Sequence, residues 1–185
     1  MNFLYKERFV KKVVKVILPA ICLLIGFGLG LSAKDTPAGV GVFRGKPPQE
    51  AGLAALVEAE RLSENGSWEL IGIGRVYYLS GDKARGQALF DRVTSRKPEA
   101  SDWQRIGDVY AEAGEKDKAE ACYQKLIASS PKDDTGHSEI GAWYLRNGQR
   151  DKGEELFAKA LARNPDDVWH YVRAAEAYLG VPRGR

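Results

Sequence analysis

Apolar residues recur along most of this chain at intervals of three and four, in short runs broken by glycine, proline and polar stretches. That spacing puts them on one face of a helix, whereas a strand would alternate them residue by residue. The first run, AGLAALVEAERLSENG, carries Leu53, Leu56, Val57 and Leu62 on one stripe and ends at Asn65-Gly66. It predicts one amphipathic helix with a glycine stop. Paired runs follow. LIGIGRVYYLSG, WQRIGDVYAEAG and HSEIGAWYLRNG each hold a glycine (Gly74, Gly107, Gly141), a large residue four before it (Leu70, Trp103, His137) and a tyrosine three after it (Tyr77, Tyr110, Tyr144). A second glycine (Gly81, Gly114, Gly148) comes seven residues later, and a polar segment then opens another helical run. That run has its own small residue (Gly86, Ala119, Gly153), an aromatic (Phe90, Tyr123, Phe157) and a closing proline (Pro98, Pro131, Pro165).

Glycine inside a helix costs about 1 kcal/mol relative to alanine. Its recurrence at one point of three helices predicts that another backbone comes close there. Gly81, Gly114 and Gly148 are placed to end the first helix of each pair in the left-handed conformation, and the prolines break the second. The frame recurs after 33 and then 34 residues. Each unit is a helical hairpin too small to bury its own apolar face, so the units are expected to stack.

The pattern resembles the tetratricopeptide repeat family. Trp103, Ile106, Gly107, Tyr110, Gly114, Ala119, Tyr123 and Pro131 match it almost fully. The flanking copies depart from it, with Leu70 and His137 at the first aromatic position and Gly86 and Gly153 at the alanine. A partial fourth copy holds Tyr171, Ala174, Ala175 and Tyr178 and stops after one helix. The resemblance implies an all-α fold, a right-handed α-solenoid. Its parts are an N-terminal capping helix over residues 51–66, repeats over 67–99, 100–133 and 134–167, and a C-terminal capping helix and tail over 168–185.

The stretch before the repeats is a different object. Five basic residues, Lys6 to Lys15, precede Val16 to Ala33, in which nothing is charged. An 18-residue uncharged segment is at the lower limit for spanning a hydrocarbon core. Two readings of residues 1–33 fit: a signal peptide cleaved after Leu31-Ser32-Ala33, or a single anchor touching the membrane through residues 13–33. Either one, with its basic flank inside, predicts that the repeats lie outside the cytoplasm, in the periplasm. Residues 34–50, rich in Gly and Pro, read as a linker.

Charge narrows the function. Of 28 basic and 25 acidic residues, five and one lie in the first 33, which leaves 23 against 24 for the rest. A neutral folded part lacks the basic stripe that nucleic-acid binding requires, so no nucleic-acid partner is expected. Beyond Cys22 only Cys122 remains, so no bridge forms within the repeats, and Cys122 reads as a buried, inert thiol. His137 and His170 stand apart from other metal ligands. No nucleophile–base pair, carboxylate pair or metal set stands out, and no cofactor is expected. Gly72-Ile73-Gly74 begins like a dinucleotide fingerprint, but Tyr77 stands where its third glycine belongs.

Tetratricopeptide repeat proteins bind peptides or helices of partner proteins in a concave groove lined by first helices. The family's groove positions fall here on Trp68, Ile71, Arg75 and Tyr78, on Gln104, Asp108 and Ala111, on Ser138, Ala142 and Leu145, and on Trp169, Val172 and Glu176. The resemblance also implies that Trp103, Tyr110, Tyr144 and Tyr178 are core. A lysine- and asparagine-based carboxylate clamp, found in some members, is absent, because its positions hold Ile71, Arg75, Gln104, Asp108, Ser138 and Ala142. The expected function is a non-enzymatic adaptor of the cell envelope that binds a protein or peptide. The alternative is a structural spacer acting through its convex face; an enzyme is the third class. The sequence leaves the oligomeric state open.

Overall fold

The computed structural model describes residues 39–182. The chain divides into two units, Met1–Gly41 and Val42–Arg185. Only the start of a 3-10 turn, Gly39–Val42, is described in the first unit; the helical array belongs to the second. The expected signal or anchor segment, residues 1–33, lies outside the described residues. Among the described residues no helix is long and apolar enough to cross a membrane.

Eight α-helices and no strand make up the described part: α1 (Pro48–Leu62), α2 (Ser67–Leu79), α3 (Lys83–Thr94), α4 (Ala100–Glu112), α5 (Lys116–Ser129), α6 (Asp134–Arg146), α7 (Arg150–Arg163) and α8 (Val168–Tyr178). The pairs α2/α3, α4/α5 and α6/α7 are the three hairpins, α1 packs on α2, and α8 packs on α6 and α7. This is an α-solenoid. Side-chain caps start several of the helices: Asp82 accepts from the Arg85 N–H at 3.1 Å and Asp133 from the Gly136 N–H at 2.9 Å. Gly114 ends α4 at φ +76°, and the Glu115 N–H then donates back to the Tyr110 carbonyl at 2.8 Å.

The small residues do what their recurrence implies. A Cβ built on Gly86 would stand 2.7 Å from the Gly74 carbonyl oxygen and 2.8 Å from the Tyr78 backbone nitrogen, which no side chain can accommodate. On Gly107 it would meet the Tyr123 ring at 2.7 Å. The first and third hairpins are thus closed by near backbone contact beside Phe90 and Phe157, whereas at Gly107 the middle hairpin is closed by the Tyr123 ring and the Cys122 Cβ rather than by a backbone. One core runs through the hairpins, and a smaller cluster of Ala142, Phe157 and Ala177 sits at the C-terminal end.

Three expectations need correction. The helix α1 begins at Pro48, where proline fits the first turn, and its apolar stripe is mostly uncovered: only Leu56 and Ala59 pack on the core, while Leu53, Val57 and Leu62 are exposed. It is not stopped by Gly66, which has φ −59° and is the N-cap of α2. Glu64 and Asn65 take the left-handed conformation instead. Arg92 of α3 bonds the Asn65 side chain, and Arg96 reaches the Asn65 carbonyl at 3.0 Å. Finally, Tyr178 is 53% exposed, because among the described residues no second helix covers α8.

Candidate functional site

First helices line the prospective binding surface, and their spacing along the array is uneven. The helices α2 and α4 pack together, as do α6 and α8, but α4 and α6 have no comparable contact. The gap between them is a cleft of about 820 Å³. Helix α4 contributes Ser101, Gln104, Arg105, Asp108, Ala111 and Glu112. Helix α6 contributes Thr135, Glu139, Ile140, Trp143 and Arg146, with Trp68 at one side and Tyr123 at the back. Trp143 stands edge-on to Tyr123, with ring centres 5.1 Å apart, a favourable aromatic geometry.

The acids of the cleft are engaged. Tyr123 donates its hydroxyl to Asp108 at 2.8 Å. Arg75 makes a two-pronged pair with Glu112, at 2.8 and 2.5 Å. Gln104 donates to Glu139, and Arg173 lies 3.6 Å from the same carboxylate. The cations differ. The Arg105 guanidinium sits over Trp68, its carbon 3.3 Å from the ring centre. A guanidinium over an aromatic face keeps its charge and its N–H donors for a further partner. Neither Arg105 nor Arg146 has a carboxylate partner among the described residues. The cleft therefore presents two arginines beside aromatic surface.

Only part of the sequence-based groove is found here. Trp68, Gln104, Asp108 and Ala111 line the main cleft, and Ile71 and Arg75 line a smaller depression of about 220 Å³ between α2 and α4. Arg75 pairs with Glu112 across these two helices. Tyr78 is not a groove residue: it is buried in the hairpin, where its hydroxyl donates to Glu115 at 2.7 Å and Lys118 donates to it at 3.1 Å. Glu115 also receives Lys83 at 2.6 Å. Bonds from Lys118, Lys83 and Tyr78 hold its carboxyl at about 2, against an ordinary 4.5.

On α6 the expected groove positions do not face this cleft. Ser138 and Ala142 are buried under α8, with Arg173 donating to the Ser138 hydroxyl at 3.4 Å, and Leu145 packs on the terminal cluster. Trp169, Val172 and Glu176 do not line the cleft, and Trp169 is exposed elsewhere on α8. A cleft between two successive first helices takes one flank of the earlier helix and the opposite flank of the later one. Projecting the same positions onto every helix therefore misses Thr135, Glu139, Trp143 and Arg146. Their own spacing of four, four and three was the available signal.

Other chemistry is sparse. Cys122 is buried, and burial pushes its thiol up to about 11, which makes it a poor nucleophile. His170 is fully buried, with Asp134 and Asp167 oxygens at 3.7 and 3.8 Å. No cluster suited to a metal ion occurs among the described residues.

The tetratricopeptide repeat family matches residues 100–133, the hairpin of α4 and α5. No curated protein matches the chain in sequence. Among solved structures, a crystal structure of MamA is similar at 20% identity and a TM-score of 0.51, over 71% of this chain and 80% of that one. A second, of the MamA protein, is similar at 21% identity and a TM-score of 0.50, over 69% and 72%. At these identities the likeness is one of fold.

Proposed function

The chain is a tetratricopeptide repeat protein, and from that premise we propose that it is a non-catalytic adaptor holding a segment of a partner protein in the cleft between α4 and α6. The observation that carries this reading is the open cleft with Arg105 and Arg146 free of carboxylates beside Trp68 and Trp143. The acids of the same cleft are already bonded, so the charges left to a ligand are positive. The fitting ligand is an extended or helical segment with acidic side chains flanking an apolar or aromatic anchor. We place the repeats outside the cytoplasm on the strength of the basic flank and the uncharged stretch Val16 to Ala33.

Two experiments test this. A photo-crosslinking residue at Ser101 in the full chain, expressed in its native envelope, should trap a partner through an acidic segment. The double variant Arg105→Glu, Arg146→Glu should lose that capture while its helical circular dichroism is unchanged. Reversing Lys159 on the exposed side of α7 should leave capture intact. Capture lost with Lys159→Glu and kept with the arginine pair reversed would replace the adaptor by a spacer acting through its convex face. For topology, an export-dependent reporter fused after Arg185 should be active and a cytoplasm-dependent one silent; the opposite pattern removes the envelope assignment.

A further inference from the structure

Each of the three hairpins joins the same two faces. The first helix offers a small residue between a large one and a tyrosine; the second offers a small residue followed four later by a ring. At these crossings a Cβ on Gly86 or Gly153 would come within 2.7 Å of the partner helix.

Among the described residues the array begins and ends on half of such a pair. Helix α8 repeats the first-helix face with Tyr171, Ala174, Ala175 and Tyr178. Its register against the preceding hairpin is also that of a first helix. The Tyr178 hydroxyl donates to Glu154 on α7, as Tyr110 donates to Gln87 on α3 and Tyr144 to Glu120 on α5. Yet Tyr171, Ala175 and Tyr178 are exposed, with Val168 and Leu179 beside them. At the other end, α1 repeats the second-helix face with Leu56 in place of the ring. Gly52, Leu56 and Ala59 have the spacing of Gly153, Phe157 and Ala160, and Leu70 follows Gly52 by the same 18 residues as Tyr171 follows Gly153. Helix α1 packs on α2 as α7 packs on α8. A Cβ on Gly52, however, would meet nothing within 4 Å.

We propose that α8 of one copy of this chain pairs with α1 of another, completing a hairpin whose two helices come from different chains. The two faces continue the interface already formed three times within the chain, with the small residues and the flanking tyrosines in the same register and Leu56 at the place of the ring. Ala175 meets Gly52 as one alanine and one glycine, the combination that closes the middle hairpin through Gly107 and Ala119. Tyr171 and Tyr178 then straddle the crossing as Trp103 and Tyr110 do. The contact is heterologous, so each copy keeps a free end and the assembly grows head to tail.

Arginine at Gly52 or Ala175 has room in a single copy and blocks the crossing between copies. Sedimentation of the full chain in a mild detergent should show wild-type mass rising with concentration beyond a dimer. Gly52→Arg alone and Ala175→Arg alone should each stay monomeric, because each has lost one of two different ends. Mixed in equal amounts they should form a dimer and nothing larger, since one good α8 face and one good α1 face remain. Several results overturn the proposal: a wild type monomeric throughout, either variant assembling alone, or a mixture that stays monomeric. Gly52→Arg forming dimers by itself would indicate α8-to-α8 pairing. Loss of helical circular dichroism in Gly52→Arg would mean that residues preceding α1 in the same chain fill that face.

Discussion

Tyr77 is 0% exposed, and its hydroxyl has no hydrogen-bond partner among the described residues. The equivalent tyrosines of later units all have one: Tyr110 on Gln87, Tyr144 on Glu120 and Tyr178 on Glu154, each acceptor following the small residue of the preceding second helix. For Tyr77 that place is held by Leu53, which follows Gly52 and cannot accept. Burial accordingly pushes the Tyr77 phenol upward. A buried, unpaired hydroxyl costs about 1–3 kcal/mol. Tyr77→Phe removes it and keeps the ring against the Arg85 guanidinium, 4.4 Å from its centre. After allowance for the small void left behind, the net gain should be about 1 kcal/mol, or about 2–4 °C in melting temperature. Tyr110→Phe loses a satisfied bond and should lower stability by about 0.5–1.5 kcal/mol. Thermal melts followed by circular dichroism compare the two directly. Leu53→Gln, at an exposed position, should supply the missing acceptor and cancel the benefit of Tyr77→Phe in a double-mutant cycle. A Tyr77→Phe protein that melts as low as Tyr110→Phe would refute the reasoning, since the hydroxyl would then be satisfied by water.

Gly107→Leu should destabilise by about 1–3 kcal/mol or more, read as a lower denaturant midpoint, because even a Cβ there lies 2.7 Å from the Tyr123 ring. For Glu115 the folded carboxyl is depressed to about 2 from 4.5, so its contribution is full above about pH 4.5 and fades as pH falls toward 2. Glu115→Gln should therefore melt lower than wild type at pH 7, with the difference shrinking over that acid range. A difference that instead grows on acidification would contradict the assignment of Lys118, Lys83 and Tyr78 as its partners.

The hairpins were legible in the sequence because their determinants are local. Glycine at a helix end or at a backbone crossing leaves a fixed spacing, and Gly86 and Gly114 behave as that spacing implied, while Gly107 is crowded by the Tyr123 ring instead of a backbone. The site was legible on α4 and not on α6, since which flank of α6 faces the cleft depends on how far α4 and α6 stand apart and on α8 covering Ser138 and Ala142. That is a property of packing between units, which a pattern repeated within each unit does not encode. Tyr78 misled for a related reason: beside Tyr77 it has the placement of a groove residue, but Glu115, Lys83 and Lys118 come from the turn and the next hairpin to enclose it.

The buried thiol of Cys122 gives this array a built-in gauge. The sulfur sits on the second helix of the middle hairpin, with its titration raised to about 11. A neutral-pH alkylating reagent can therefore modify it only while α4 and α5 are parted. Under conditions where closing outruns modification, the labelling rate divided by that of a free thiol is the equilibrium fraction of open middle hairpins. In a solenoid whose units touch only their neighbours, that fraction measures how strongly the flanking hairpins restrain the centre. A ligand spanning α4 and α6 would then announce itself as a slowing clock on a residue it never touches.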